Sequence, residues 1–256
     1  MNDHRTDYSE IAPVYDQARP SDSPHLEWWF GKLAEAGALG PGRRLVDLGC
    51  GTGRWTIPLA ERTGCEAVGI DRSPEMLARA REKDAGGRVT WLVGDVERLE
   101  LAPDSFDCAL MSLMLHHLDD HLGAFEGVLR ILRPGGVFLI RQGTLEQIIN
   151  DVTHRFFPET VTLDRKRTPL RAEVERWLGQ VGFRDISAEE VAQTSYPSNE
   201  SFLETSGHRV CSVLRMIGDD AFEEGMKRMR EYLAEHPDDT SLRQDLFTLF
   251  TARKPE

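Results

Sequence analysis

Three kinds of residue able to do chemistry follow one another along this 256-residue chain. The first is Asp47-Leu48-Gly49-Cys50-Gly51-Thr52-Gly53, an acid followed by glycines on alternate positions. Glycine lets a backbone turn tightly and lets a ligand reach main-chain amides that a Cβ would screen. The second is Asp71, which closes the apolar run Ala67-Val68-Gly69-Ile70. A carboxylate accepts two hydrogen bonds from a vicinal diol, and this one stands near the place where a nucleotide fold puts an acid on ribose hydroxyls. The third is the adjacent pair His116-His117. An imidazole with an ordinary pKa of about 6.5 takes up or gives a proton near neutral pH. The combination is that of a nucleotide crevice with a proton-handling rim.

The elements that must position these residues alternate between strand and helix. Arg43–Leu48 reads as a first strand and Thr52–Arg62 as a first helix, so the glycines form the turn at the mouth of a parallel sheet. Strands over 66–71, 89–96, 108–112 and 137–140 follow, with an amphipathic helix over 124–132 before the Arg133-Pro134-Gly135-Gly136 stop. Ser73 and Pro74 are placed to cap and open the helix after Asp71. Further on, Leu145–Phe157 and Arg171–Val181 read as helices, 183–191 and 245–252 as two last strands, and 199–216 and 219–235 as helices between them. At the front, His25–Ala36 reads as a helix.

The glycine pattern excludes the common nucleotide loops. In the dinucleotide fingerprint G-x-G-x-x-G the third glycine would fall on Arg54, and no Gly-Lys-Ser/Thr of a phosphate loop follows. Instead D-L-G-C-G-T-G resembles motif I of the class I S-adenosylmethionine-dependent methyltransferases. Three further stretches carry the same resemblance in the same order: D-R-S-P-E-M-L from Asp71, G-D-V from Gly94, and the F-D…S-L-M-L-H-H-L run from Phe106. The start of the chain, Y-S-E-I-A-P-V-Y-D from Tyr8, is similar to the front segment of small-molecule members, the ubiquinone/menaquinone-biosynthesis type among them.

The resemblance implies a Rossmann-like α/β fold. Its seven-stranded sheet would be mostly parallel with an antiparallel last strand, helices on both faces and a helical lid or cap. It implies lid helices over 1–40 and a methyltransferase domain over 41–256, with cap insertions at about 143–170 and 195–240. It implies S-adenosylmethionine as cofactor, with S-adenosylhomocysteine as product. Tyr15, Arg19, Asp47, Gly49, Cys50, Gly51, Gly53, Asp71, Arg72, Met76, Asp95, Val96, Ser112 and His117 are the residues expected around it, with Asp71 at the ribose, Asp95 and the Val96 amide at the adenine, and Met76 near that ring. His116 is the candidate general base, with His117, Tyr15 and Tyr8 as the other candidate catalytic residues.

Composition bounds the partners. The net charge is −12, and the only basic run is Asp164-Arg165-Lys166-Arg167, so a nucleic-acid substrate, which needs a basic surface, is disfavoured. No apolar stretch has membrane-spanning length, and the four scattered cysteines have neither metal spacing nor a CxxC pair. A cytoplasmic enzyme without a metal, a small-molecule acceptor and a monomer or homodimer are therefore expected. His154, Arg155, His208 and Arg209 fall in the covering segments; they could bind an anionic substrate, and solvated surface is the preferred reading. Two other readings stay open: a methyltransferase acting on tRNA or protein, and a non-catalytic protein that holds S-adenosylmethionine and works through a partner. The choice among oxygen, nitrogen and carbon as methyl acceptor is also open.

Overall fold

The computed structural model describes Asp16 and residues 24–256. Tyr8, Tyr15 and Arg19 lie outside the described residues. The elements are, in order, α1 (Pro24–Ala36), β1 (Arg44–Leu48), α2 (Thr56–Thr63), β2 (Glu66–Asp71), α3 (Pro74–Lys83), β3 (Val89–Val93), β4 (Phe106–Ser112), α4 (His121–Ile131) and β5 (Leu132–Gln142). Then come α5 (Leu145–Ile148), α6 (Val152–Phe156), α7 (Thr160–Arg167), α8 (Arg171–Val181), β6 (Arg184–Thr194), α9 (Asn199–Gly207), α10 (Asp219–Glu235) and β7 (Gln244–Arg253).

One seven-stranded sheet runs in the order β3-β2-β1-β4-β5-β7-β6. β1, β2, β3, β4 and β5 pair in parallel, and β7 pairs antiparallel with both β5 and β6. The Rossmann-like sheet with its antiparallel last strand is thus present. The chain winds outward from β1 to β3 and returns to β4 on the other side of β1. That reversal opens a crevice at the carboxyl ends of β1 and β4.

Alternation along the strands decides what faces each side of the sheet. Val46, Leu48, Ala109, Met111, Phe138 and Ile140 join Phe125, Val128, Val174 and Leu178 in a core with α4 and α8. Leu45, Cys108, Leu110, Val137 and Leu139 join Leu26, Trp29, Phe30, Leu33 and Leu59 in a second core with α1 and α2. By the same alternation Asp47, Ser112 and Arg141 belong to the α1/α2 side and Gln142 to the other. A third cluster, Phe156, Phe157, Phe202, Val213, Leu214, Phe222, Met226 and Met229, joins α6, α9 and α10 above the sheet.

Several boundaries differ from the sequence expectation. The helix expected over 145–157 is two short ones, because Asp151 breaks off and caps α6 by accepting from the Thr153 amide at 2.7 Å. The helix expected over 199–216 ends at Gly207, and a separate 3-10 turn covers Ser212–Arg215. α2 begins at Thr56 rather than Thr52, since the glycine loop holds its own turn up to Trp55. No helix among the described residues is long and apolar enough to cross a membrane.

Candidate cofactor and acceptor site

The glycine loop is tied down by β2. The amides of Gly49 and Cys50 both donate to the Ile70 carbonyl, at 2.8 and 3.0 Å. All three loop glycines have positive φ, 74°, 55° and 75° for Gly49, Gly51 and Gly53, which only glycine adopts at no steric cost. Their surroundings differ. A Cβ at Gly49 would meet the Met114 sulfur at 2.5 Å, and one at Gly53 would meet the Trp91 ring at 2.6 Å, whereas at Gly51 nothing lies within 4 Å. Gly51 therefore leaves a space above the main chain, and Gly53 serves packing instead.

Asp71 locks this loop to the end of β2. Its two carboxylate oxygens accept from the Gly51 amide at 2.8 Å and the Ser73 amide at 2.9 Å. Each oxygen keeps a further lone pair for a diol. Burial raises the Asp71 pKa, and the two amides oppose that rise. Ser73 caps α3 by accepting from the Met76 amide at 3.2 Å, with Pro74 in the first turn. Asp95 caps the 3-10 turn Val96–Arg98 through the Glu97 amide at 2.9 Å. Asp16 reaches the loop as well, accepting from Thr52 Oγ1 and from Lys83 Nζ, both at 2.7 Å.

These elements surround a cavity of about 600 Å³. Gly49, Cys50, Gly51, Asp71, Arg72 and Met76 lie on its wall, as do Asp95, Val96, Ser112, His116 and His117. Asp47 and Gly53 do not. Asp47 is 1% exposed beneath the loop and accepts from Thr56 Oγ1 at 2.5 Å. Burial raises its pKa to about 7, against the Thr56 hydroxyl, which lowers it, and with some help from the Asp71 charge. Strand alternation points Asp47 at α2, so it braces the start of that helix from below. The Cys50 thiol is buried and pushed well above its ordinary pKa by desolvation.

The rim beyond β4 is a strained turn. Leu113 has φ 55°, and its amide donates to the Arg141 carbonyl at 2.8 Å. The 3-10 turn Leu115–His117 then brings the two imidazoles to a centroid separation of 4.1 Å. Burial lowers the His117 pKa to about 4, with the Arg167 and Arg72 charges adding to it. Gln142, fully buried at the end of β5, accepts from the Leu115 amide at 3.3 Å and bonds His116 Nδ1 at 3.3 Å through its Nε2.

Arg141, Gln142 and Gly143 follow the fifth strand expected from the sequence, which gave them no role. Arg141 is 4% exposed, with its guanidinium 4.7, 5.1 and 3.8 Å from the rings of Trp29, Trp55 and Phe247. Gln193 accepts from both Arg141 and Trp29, at 3.1 and 2.7 Å. These contacts join α1, β5, β6 and β7 and depend on tertiary pairing, which leaves no local sequence signal. The helices above the sheet add Ile148, Val152, Phe202, Val213 and Leu214 to the cavity wall. His154, read from sequence as solvated surface, is instead 8% exposed and on this wall, with Nδ1 at 2.7 Å from Thr160 Oγ1. Arg155 and Arg209 stack on Tyr232 and Phe222, each at 3.9 Å.

The observed space suits S-adenosylmethionine. An open main-chain cradle at Gly51, a diol acceptor at Asp71 and the buried Met76 and Val96 stand along one side of a single cavity. Comparison with known proteins agrees. A family model described as a methyltransferase domain matches residues 46–140. A demethylmenaquinone methyltransferase of Staphylococcus aureus (strain MRSA252) is 30% identical over 196 residues, 73% of this chain and 80% of that protein. One of Mycobacterium sp. (strain KMS) is 35% identical over 139 residues, 51% of this chain, and the match spans 58% of that relative's length. Among solved structures, Haemonchus contortus phosphoethanolamine N-methyltransferase 2, in complex with phosphomonomethylethanolamine and S-adenosylhomocysteine, superposes with a TM-score of 0.66 at 25% identity, covering 97% of this chain and 58% of the other. By loop, sheet order and relatives alike, the chain belongs to the class I S-adenosylmethionine-dependent methyltransferases.

Proposed function

We propose that the protein transfers a methyl group to an oxygen, nitrogen or carbon nucleophile of a small molecule. The observation that carries this reading is the continuity of the cavity, from the Gly51 cradle and Asp71 past the histidine rim to the underside of α9 and the Ser212–Arg215 turn. One end suits the cofactor, and the other is closed by apolar and polar side chains on the scale of a small acceptor. The net charge of −12 speaks against a polyanionic partner.

Bound S-adenosylmethionine supplies an electrophilic methyl group on a sulfonium, displaced in line by the acceptor. The chain's own contribution is positioning. In this reading Asp71 takes the ribose diol and Asp95 the adenine amino group. Met76 and Val96 pack the adenine ring, and the Gly51 amide region faces the methionine part. Asp47 acts from beneath by bracing α2. The segment carrying Tyr8, Tyr15 and Arg19 is proposed as the cover on the cofactor side, supported by the hold of Asp16 on Thr52 and Lys83. The 143–170 and 195–240 segments are proposed as the cap that excludes water from the acceptor. His116 and His117 are proposed to meet the acceptor, and the placement of the protons on His116 decides whether it serves as base or as donor.

The test is methyl transfer from radiolabelled S-adenosylmethionine to a panel of small acceptors. Reduced demethylmenaquinone, the substrate class in the relatives' names, comes first. Label in a small product supports the reading. Label only in tRNA or protein, or cofactor binding without transfer to any acceptor, contradicts it.

A further inference from the structure

His116 was expected from the sequence to be a general base. Its neighbour Gln142 argues for a different role. The orientation of a buried amide is settled by the groups around it. On one side of Gln142 is the Leu115 backbone N–H, which can only donate, 3.3 Å from Oε1. On the other is the Gly143 carbonyl, which can only accept, 3.2 Å from Nε2. The oxygen therefore faces Leu115 and the NH₂ group faces Gly143. The same Nε2 lies 3.3 Å from His116 Nδ1, and an amide nitrogen can only donate there.

Nδ1 must then be the acceptor, so the neutral ring carries its proton on Nε2. For Nε2 to receive a proton as a base, the ring would need its hydrogen on Nδ1, pointing at the hydrogen of Gln142. Turning the amide over offers no escape, because it would set N–H against the Leu115 N–H and oxygen against the Gly143 oxygen. Gln142 is 0% exposed, so water cannot repair those contacts. Alternation along β5 produces this arrangement: Arg141 goes to the α1/α2 side, and Gln142 goes under the rim turn that carries His116.

Resting on the methyl-transfer reading above, we propose that Gln142 is a positioning residue that holds His116 as the Nε2–H tautomer, so that His116 donates a hydrogen bond to an anionic oxygen of the acceptor instead of removing its proton. The acceptor class that fits is a phenol or enol whose proton is already lost to solvent on binding. Its electron pair, on that oxygen or on the carbon conjugated with it, forms the new bond to the methyl carbon as the carbon–sulfur bond breaks onto sulfur. The negative charge of the acceptor and the positive charge of the sulfonium cancel in the step. Where carbon is methylated, the hydrogen it carried leaves afterwards to solvent. His116 keeps its proton throughout: its hydrogen bond favours the ionised form of the bound acceptor, so that more of it is present as the nucleophile, and holds that oxygen in place for the in-line transfer.

The direct test is two-bond proton–nitrogen correlation NMR on protein labelled with ¹⁵N-histidine, with and without S-adenosylhomocysteine. The His116 signals are assigned by their loss in His116→Gln. The proposal expects the Nε2–H tautomer in the wild type at neutral pH. In Gln142→Met, which keeps the length of the side chain but offers no N–H, part of the His116 population is expected to carry its proton on Nδ1, and an unchanged tautomer in that variant overturns the positioning role. A wild-type His116 protonated on Nδ1, or on both nitrogens, overturns it. This arm needs no acceptor.

The second arm is turnover of reduced demethylmenaquinone. Glutamine at position 116 offers an N–H but cannot act as a base. His116→Gln is therefore expected to lose about tenfold or less in kcat, while His116→Ala loses about a hundredfold or more. Equal losses in the two variants restore the base role and sink the donor role. Absence of S-adenosylhomocysteine binding in folded wild-type protein is instead a failure of the methyltransferase reading, and the tautomer measurement still stands apart from it.

Discussion

Asp47→Asn isolates the energetic cost of the carboxyl buried beneath the glycine loop. Asp47 is 1% exposed and its pKa is raised from the ordinary 3.8 to about 7, first by burial. Between those two values the unfolded chain is ionised while the folded protein keeps its proton. The folded state then binds more protons, so stability falls as pH rises through this window. At about 1.4 kcal/mol per pKa unit the full change is on the order of 4 kcal/mol, complete above about pH 7. Asparagine preserves the shape and still accepts from the Thr56 hydroxyl, but it does not ionise. Urea unfolding of both proteins from about pH 4 to about pH 8 reads the effect. The stability of the variant relative to wild type is expected to rise by roughly 4 kcal/mol across that range, most of it between about pH 4 and 7. Parallel profiles for the two proteins would refute the reasoning, because the carboxyl would then carry no burial cost.

His117 acts with the opposite sign. Its folded-state pKa of about 4 lies below the unfolded 6.5, so stability is expected to fall as pH drops through that interval, and His117→Gln should remove this part of the acid sensitivity. An unchanged acid limb in the variant would contradict the half-buried, neutral imidazole. Gly53→Ala places a methyl 2.6 Å from the Trp91 ring at φ 75°, and is expected to cost about 1–3 kcal/mol of stability and weaken S-adenosylhomocysteine binding. Gly225→Ala drives a Cβ into the Phe157 ring where α10 meets the third hydrophobic cluster. Overpacking there should lower the melting temperature by several degrees, on the order of 1–3 kcal/mol, and a wild-type melting curve would contradict that packing.

Sheet and crevice were legible because their signals are local. A short apolar strand, alternate glycines and a helix start read the same in any context, and Asp71 stands at the end of a strand that pairs with all five residues of β1. The same signals spoke for Asp47 and Gly53. Motif membership put both at the cofactor, while strand alternation turns Asp47 toward Thr56 and the φ of Gly53 serves the approach of Trp91. What sequence could not supply is pairing at long range. Gln142 gains its meaning from Leu115 and His116 on another strand's loop, and Arg141 from Trp29, Trp55, Phe247 and Gln193. The covering helices are short and weakly patterned, so their breaks at Asp151 and after Gly207 follow from capping and packing rather than from periodicity.

The central claim is that the Asp71 side of the cavity holds S-adenosylmethionine through its ribose. Isothermal titration calorimetry of the wild type and Asp71→Ala with S-adenosylhomocysteine tests it most directly. Micromolar binding by the wild type is expected. Removing two hydrogen bonds to a charged acceptor should weaken the variant by about a hundredfold, or roughly 2.7 kcal/mol. Equal affinity in the two proteins, or no binding by folded wild type, would contradict the account.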